Sequence, residues 1–318
     1  MSQLSYETAV TLLYDPVTAN RAVTRSGLYN LGFRNVECVG ELAALEKSIQ
    51  DPPPPDLVLC EIQDAEAELC QVIQNLRRGT GGYNPFLVII VTTWQKSGPA
   101  IKRVIDSGAD DLLLRPFSAT VLADRIRTHV ERRKGFVVTS DYIGPDRRVA
   151  SARPSNAELF DPPNSLRMKV KDRMTADEVA GRLDVEIKLA RDRVVREKLK
   201  RDAFQICVLW RLMEGSNPQA SRYSVDQGKF KVLARSVAGR CAGTDFSGAV
   251  PWCEAAVAAM EGLEFGVERG PAMQMLGHAA MNLNQVFTPG RPSADLLSEI
   301  DATVAIIHAR DQVTVTAV

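Results

Sequence analysis

The chain has 318 residues, 45% of them hydrophobic and 25% charged, and its 39 basic and 39 acidic side chains cancel at neutral pH. That length suits two domains of ordinary size, and the zero balance gives no global attraction to a polyanion, so nucleic acid is not an expected partner. No run approaches the roughly 18 apolar residues needed to cross a bilayer, and Met1-Ser2-Gln3-Leu4-Ser5-Tyr6-Glu7 lacks the basic and apolar regions of a signal peptide.

Six cysteines, at 38, 60, 70, 207, 241 and 253, show no metal-ligand spacing, and most sit in apolar runs where a thiol behaves as a small hydrophobe. The histidines are His129, His278 and His308. A reduced, cytoplasmic protein without membrane contact, cofactor or histidine-based metal centre is the expectation.

Residues 9–13 form a candidate first strand ending at Tyr14-Asp15-Pro16, followed by a helix from about 17 to 31 that Gly32 stops. A short strand at 36–39 and a helix at 41–49 lead to the Pro52-Pro53-Pro54-Pro55 spacer. Asp56-Leu57-Val58-Leu59-Cys60-Glu61 then places four apolar residues in a row, the mark of a strand buried on both faces, with Glu61 at its carboxyl end. A helix at 65–78 closes at Gly79, a fourth strand covers 86–91 and ends in Thr92-Thr93, and a helix near 99–107 follows. The fifth strand is 112–114, ending at Arg115-Pro116, and a last helix runs from Ser118, as N-cap, to about Arg133.

Five strands alternating with five helices predict a doubly wound α/β unit with a five-stranded parallel sheet in the order 2-1-3-4-5. Its crevice gathers Asp15, Glu61, Thr92 and Arg115 at the carboxyl ends of the strands. Carboxylates there suit a hard cation, and a hydroxyl with a cation suits phosphate oxygens.

Leu12-Leu13-Tyr14-Asp15, the strand ending in Glu61, Val91-Thr92-Thr93 and Gly108-Ala109-Asp110-Asp111-Leu112-Leu113-Leu114-Arg115-Pro116-Phe117 together resemble the receiver (CheY-like, flavodoxin-like) domain of two-component response regulators. The resemblance covers residues 9–133 and implies a bacterial signalling regulator. It departs from the family pattern at the chemistry. Tyr14 stands where a first Mg²⁺-binding acid is usual, leaving Asp15. Glu61 matches the phospho-accepting aspartate, and its extra methylene moves the carboxylate outward by ~1.5 Å, a misplacement that costs about 10²-fold in a positioned reaction. Arg115 replaces the usual lysine, Leu112 replaces the switch aromatic, and Thr92 keeps the hydroxyl. The expectation is a pseudo-receiver that does not switch by phosphorylation, with any residual weak Mg²⁺ contact falling on Asp15 and Glu61. Three fates stand open for Glu61: phosphorylation, a fixed ion pair with Arg115, or an abandoned site on a docking domain.

Domain boundaries are expected at 1–134 for the receiver, 135–173 for a proline-containing basic linker and 174–318 for a helical bundle. Between 132 and 173, ten basic side chains face five acidic ones, a net of +5 read as a solvated tether. Thr175 and Glu178 fit a capping box that opens a long helix over about 176–213. Its stripe of Val179, Leu183, Ile187, Ala190 and Val194 predicts a homodimer seam, with Glu178–Arg182, Asp184–Lys188 and Glu197–Arg201 as i,i+4 pairs opposite. Further helices are predicted at 224–241, 246–262, 271–287 and 293–307, giving an all-α bundle. Residues 175–200 have a superficial helix-turn-helix look, the alternative being DNA-binding transcription regulation. His278 lies between apolar neighbours and reads as a packed histidine rather than a phosphotransfer group. Nothing in the chain carries enzyme chemistry, so the function expected is phosphorelay-type signalling through contacts with a kinase or another regulator.

Overall fold

The computed structural model describes residues 4–63, 66–139, 141–147 and 158–316. The chain divides into two compact units, Met1–Val194 and Val195–Val318. Among the described residues, no helix is long and apolar enough to cross a membrane.

The first unit opens with β1 (Val10–Tyr14), α1 (Thr18–Asn30), β2 (Asn35–Val39), α2 (Leu42–Gln50) and β3 (Leu57–Glu61). It continues with α3 (Glu66–Arg77), β4 (Val88–Thr93), α4 (Gly98–Asp106), β5 (Asp111–Leu114) and α5 (Ala119–Glu131). All five strands are parallel in the order β2-β1-β3-β4-β5, as predicted. Each residue of β3 is buried, which is why an unbroken apolar run was needed there. One face of the sheet packs Leu12, Val58, Cys60 and Val91 against Leu45, Leu69, Ile73 and Val104 of α2, α3 and α4. The other packs Leu13, Leu57, Leu59 and Ile90 against Leu28, Leu122, Ile126 and Val130 of α1 and α5. Ser118 caps α5, accepting from the Val121 N–H at 3.3 Å.

The expected tether is a folded part of this unit, which corrects the linker reading of 135–173. Phe136–Val138 (β6) and Ile143–Pro145 (β7) pair antiparallel, and Ser165–Val170 (α6) lays Leu166 and Val170 into the α1/α5 face of the sheet. Lys169 reaches Asp56 at 2.7 Å. The basic residues counted as solvated are in part structural. Arg133 binds Asp110 at 2.7 Å and donates to the carbonyls of Phe86 and Pro163, and Arg147 donates to the carbonyls of Ala109 and Asp110 at 2.6 and 3.0 Å. A guanidinium fork satisfies backbone oxygens that the short strands leave bare, which a tally of charges does not reveal. Arg148 and the rest of 148–157 lie outside the described residues.

Helix α7 (Ala176–Glu214) starts with the predicted box, since Thr175 N–H and Glu178 Oε2 are 2.8 Å apart and the Glu178 N–H returns to Thr175 Oγ1 at 3.4 Å. It is one unbroken helix, without the turn that a helix-turn-helix at 175–200 requires. Its predicted seam does not face solvent. Val179, Leu183, Ile187 and Ala190 are buried with Phe86, Phe136, Val138, Ile143, Phe160 and Met168 of the same unit, and Val194 packs against them. The three phenylalanines meet at centroid distances of 6.0–6.1 Å, more aromatic surface than a three-residue hairpin can cover, and α7 supplies the missing wall. On its outer face Arg182 bonds Glu186 and Asp184 accepts from Tyr83, while the buried Glu197 lies near Lys200, in place of the three pairs read from spacing.

The second unit comprises the last turns of α7 with α8 (Ser221–Cys241), α9 (Val250–Glu264), α10 (Arg269–Phe287) and α11 (Ser293–Thr316). Leu199, Ile206, Trp210, Phe230, Val237, Met260, Leu276, Leu283 and Ile300 line its core. Trp210 donates from Nε1 to the Met273 carbonyl at 3.1 Å and packs close against Gly277, where an added Cβ would stand 2.5 Å from the indole. His278 is exposed, not packed, with its ring edge-on to Trp252 at 5.6 Å. Its sequence neighbours Gly277, Ala279 and Ala280 are buried on the rest of the α10 circumference, which explains the misreading.

Candidate functional site

Parallel register brings the carboxyl ends of β1, β3, β4 and β5 level: Glu61 closes β3 opposite Thr92, Asp15 follows β1, and Arg115 follows β5. The four residues predicted for the crevice are therefore together, and all are buried. Arg115 organises them. Its Nε donates to Glu61 Oε2 at 2.6 Å and to Thr92 Oγ1 at 3.2 Å, and its Nη2 donates to Asp15 Oδ2 at 3.1 Å. Thr92 donates its hydroxyl proton to the same Glu61 oxygen at 2.6 Å. The Val17 N–H occupies Asp15 Oδ1 at 2.9 Å.

Three contacts were not foreseen. Thr24 of α1 accepts from Arg115 Nη2 at 3.2 Å, Arg21 donates to the Asp15 carbonyl, and the guanidinium stacks 5.0 Å from the Phe117 ring centroid. The one signal available was the position of Thr24 one turn before buried Leu28, on the inner face of α1. Tyr14 belongs to the α2/α3 face of the core, and Leu112 is half-buried beside it.

Electrostatically the crevice holds two carboxylates and one guanidinium shielded from water. Burial pushes the Asp15 carboxyl above its ordinary range, against the opposing pull of the Val17 N–H, Arg115 and Arg21. Burial does the same to Glu61, against the Thr92 and Arg115 hydrogen bonds. Glu61 Oε2 and Asp15 Oδ2 already accept from the guanidinium, while Glu61 Oε1 is buried without a hydrogen-bond partner, so a divalent ion bridging the two acids would have to displace Arg115.

No family model matches the chain, and no curated protein does. Among solved structures, a signal receiver domain from Clostridium thermocellum is 19% identical, covers 39% of this chain and 99% of its own, and has a TM-score of 0.36. A CheY-like receiver from Methanospirillum hungatei (19% identity, 40% and 97% coverage, TM-score 0.35) and a response regulator from Thermotoga maritima (22%, 38% and 96%, 0.32) are similar over the same region. Residues 10–131 have the receiver fold.

Away from its crevice this receiver carries a second buried ionic cluster, between β4, β5 and the hairpin. Arg77 binds Asp110 at 2.9 Å and donates to the carbonyls of Pro85, Leu87 and Gly108, and Arg133 binds the other Asp110 oxygen. The Phe136 ring packs against both guanidiniums, its centroid 5.1 and 5.0 Å from their central carbons. Burial raises the Asp110 carboxyl, but Arg133 and Arg77 outweigh it and hold the group below its ordinary value. With both Asp110 oxygens accepting from guanidiniums and the Phe136 ring of the hairpin packed on Arg77 and Arg133, this cluster fastens the hairpin to the receiver.

Proposed function

We propose that the chain is a two-component-type signalling regulator whose receiver is a pseudo-receiver, acting by contact with signalling proteins such as a kinase or another regulator and performing no catalysis of its own. The observation that carries the reading is the Arg115 guanidinium lying between Asp15 and Glu61. Phosphorylation of a carboxylate needs one oxygen free to attack phosphorus and a divalent ion to neutralise the transferring group. In this crevice Glu61 Oε2 accepts two short hydrogen bonds and Oε1, though it has no hydrogen-bond partner, is buried; Tyr14 supplies no negative charge, and the Arg115 guanidinium already lies between the acids, where a divalent ion would have to sit. The fixed ion pair is the fate of Glu61 that this arrangement favours, and information then passes through shape and surface.

The test is incubation of the full chain with acetyl phosphate and Mg²⁺, followed by intact-mass measurement. An unchanged mass is expected. Gain of one phosphoryl group that disappears in Glu61→Gln would refute the pseudo-receiver and establish the alternative, a receiver still phosphorylated at Glu61. A salt-dependent shift of random duplex DNA would instead favour transcription regulation, by a surface other than a helix-turn-helix at 175–200.

A further inference from the structure

We draw no further inference here: the strongest candidate, the cavity of about 660 Å³ between the end of α5, α6 and the first half of α7, is walled in part by arginines already held within the chain, Arg133 by Asp110, Arg182 by Glu186 and Arg193 by Glu158 and the Leu159 carbonyl, and nothing in the structure shows what covers it.

Discussion

Arg115→Ala takes the guanidinium out of the crevice while leaving Asp15 and Glu61 buried, at 0% and 1% exposure. Removing one member of a buried ion pair costs about 3–5 kcal/mol, because the remaining charge is uncompensated. For a unit of this size each kcal/mol moves the melting temperature by about 2–4 °C, so a fall of about 6–20 °C is expected at neutral pH. The loss carries a sign with pH. Both carboxyls already lie above their ordinary values through burial, and without Arg115 the opposing pull weakens, so both rise further. A raised carboxyl makes the folded state bind protons more tightly than the unfolded chain. Its stabilising effect is complete below the unfolded pKa and is lost as pH rises through the folded one. The variant should therefore recover stability as pH falls from neutral toward the ordinary carboxylate range. Thermal melts of variant and wild type across that interval provide the assay. A variant melting within about 2 °C of wild type at neutral pH, or a deficit that grows on acidification, would refute the assignment of Arg115 as the crevice's counter-ion.

Asp110→Asn leaves Arg77 and Arg133 buried without their anion and should cost about 3–5 kcal/mol in urea unfolding. Because the Asp110 carboxyl is held low, its contribution should be present at neutral pH and fade as pH falls through the folded value, the reverse of Glu61. Gly144→Ala would place a methyl 2.8 Å from the Gly108 Cα and 2.7 Å from the Tyr142 hydroxyl, and overpacking of that kind costs about 1–3 kcal/mol in the same assay. Gly277→Ala drives a methyl into the Trp210 indole; a blue- or red-shifted tryptophan emission with a loss of about 1–3 kcal/mol is expected, and an unperturbed spectrum with wild-type stability would contradict the packing.

The sheet was legible because apolar runs such as Leu57–Cys60 and the punctuation at Gly32, Gly79 and Gly108 are local properties of the chain. The crevice was legible for the same reason: a residue at the carboxyl end of a parallel strand has its place determined by topology, so Asp15, Glu61, Thr92 and Arg115 had to converge. Thr24 and Arg21 were not, since their contacts depend on how α1 lies across the sheet. The hairpin was missed because Phe136–Val138 and Ile143–Pro145 are three-residue strands that no periodicity test can resolve, and one of them ends in a proline. The α7 stripe was read correctly as an interface, with the wrong occupant. Helical spacing reports that a face must be covered, and Phe86, Phe136 and Phe160 come from places too far along the sequence to be paired with it by inspection.

The packing of the Phe136 ring on Arg77 and Arg133 bears on where this protein can be cut. A fragment ending at residue 134 would keep the whole parallel sheet and its crevice, yet strip Phe86 of its aromatic neighbours, deprive Asp56 of Lys169, and lay bare the helix face that Leu166 and Val170 shelter. The smallest autonomous piece is thus larger than the fold that names it. Transplanting the sheet domain cut at residue 134 would carry over a body with one side open to water.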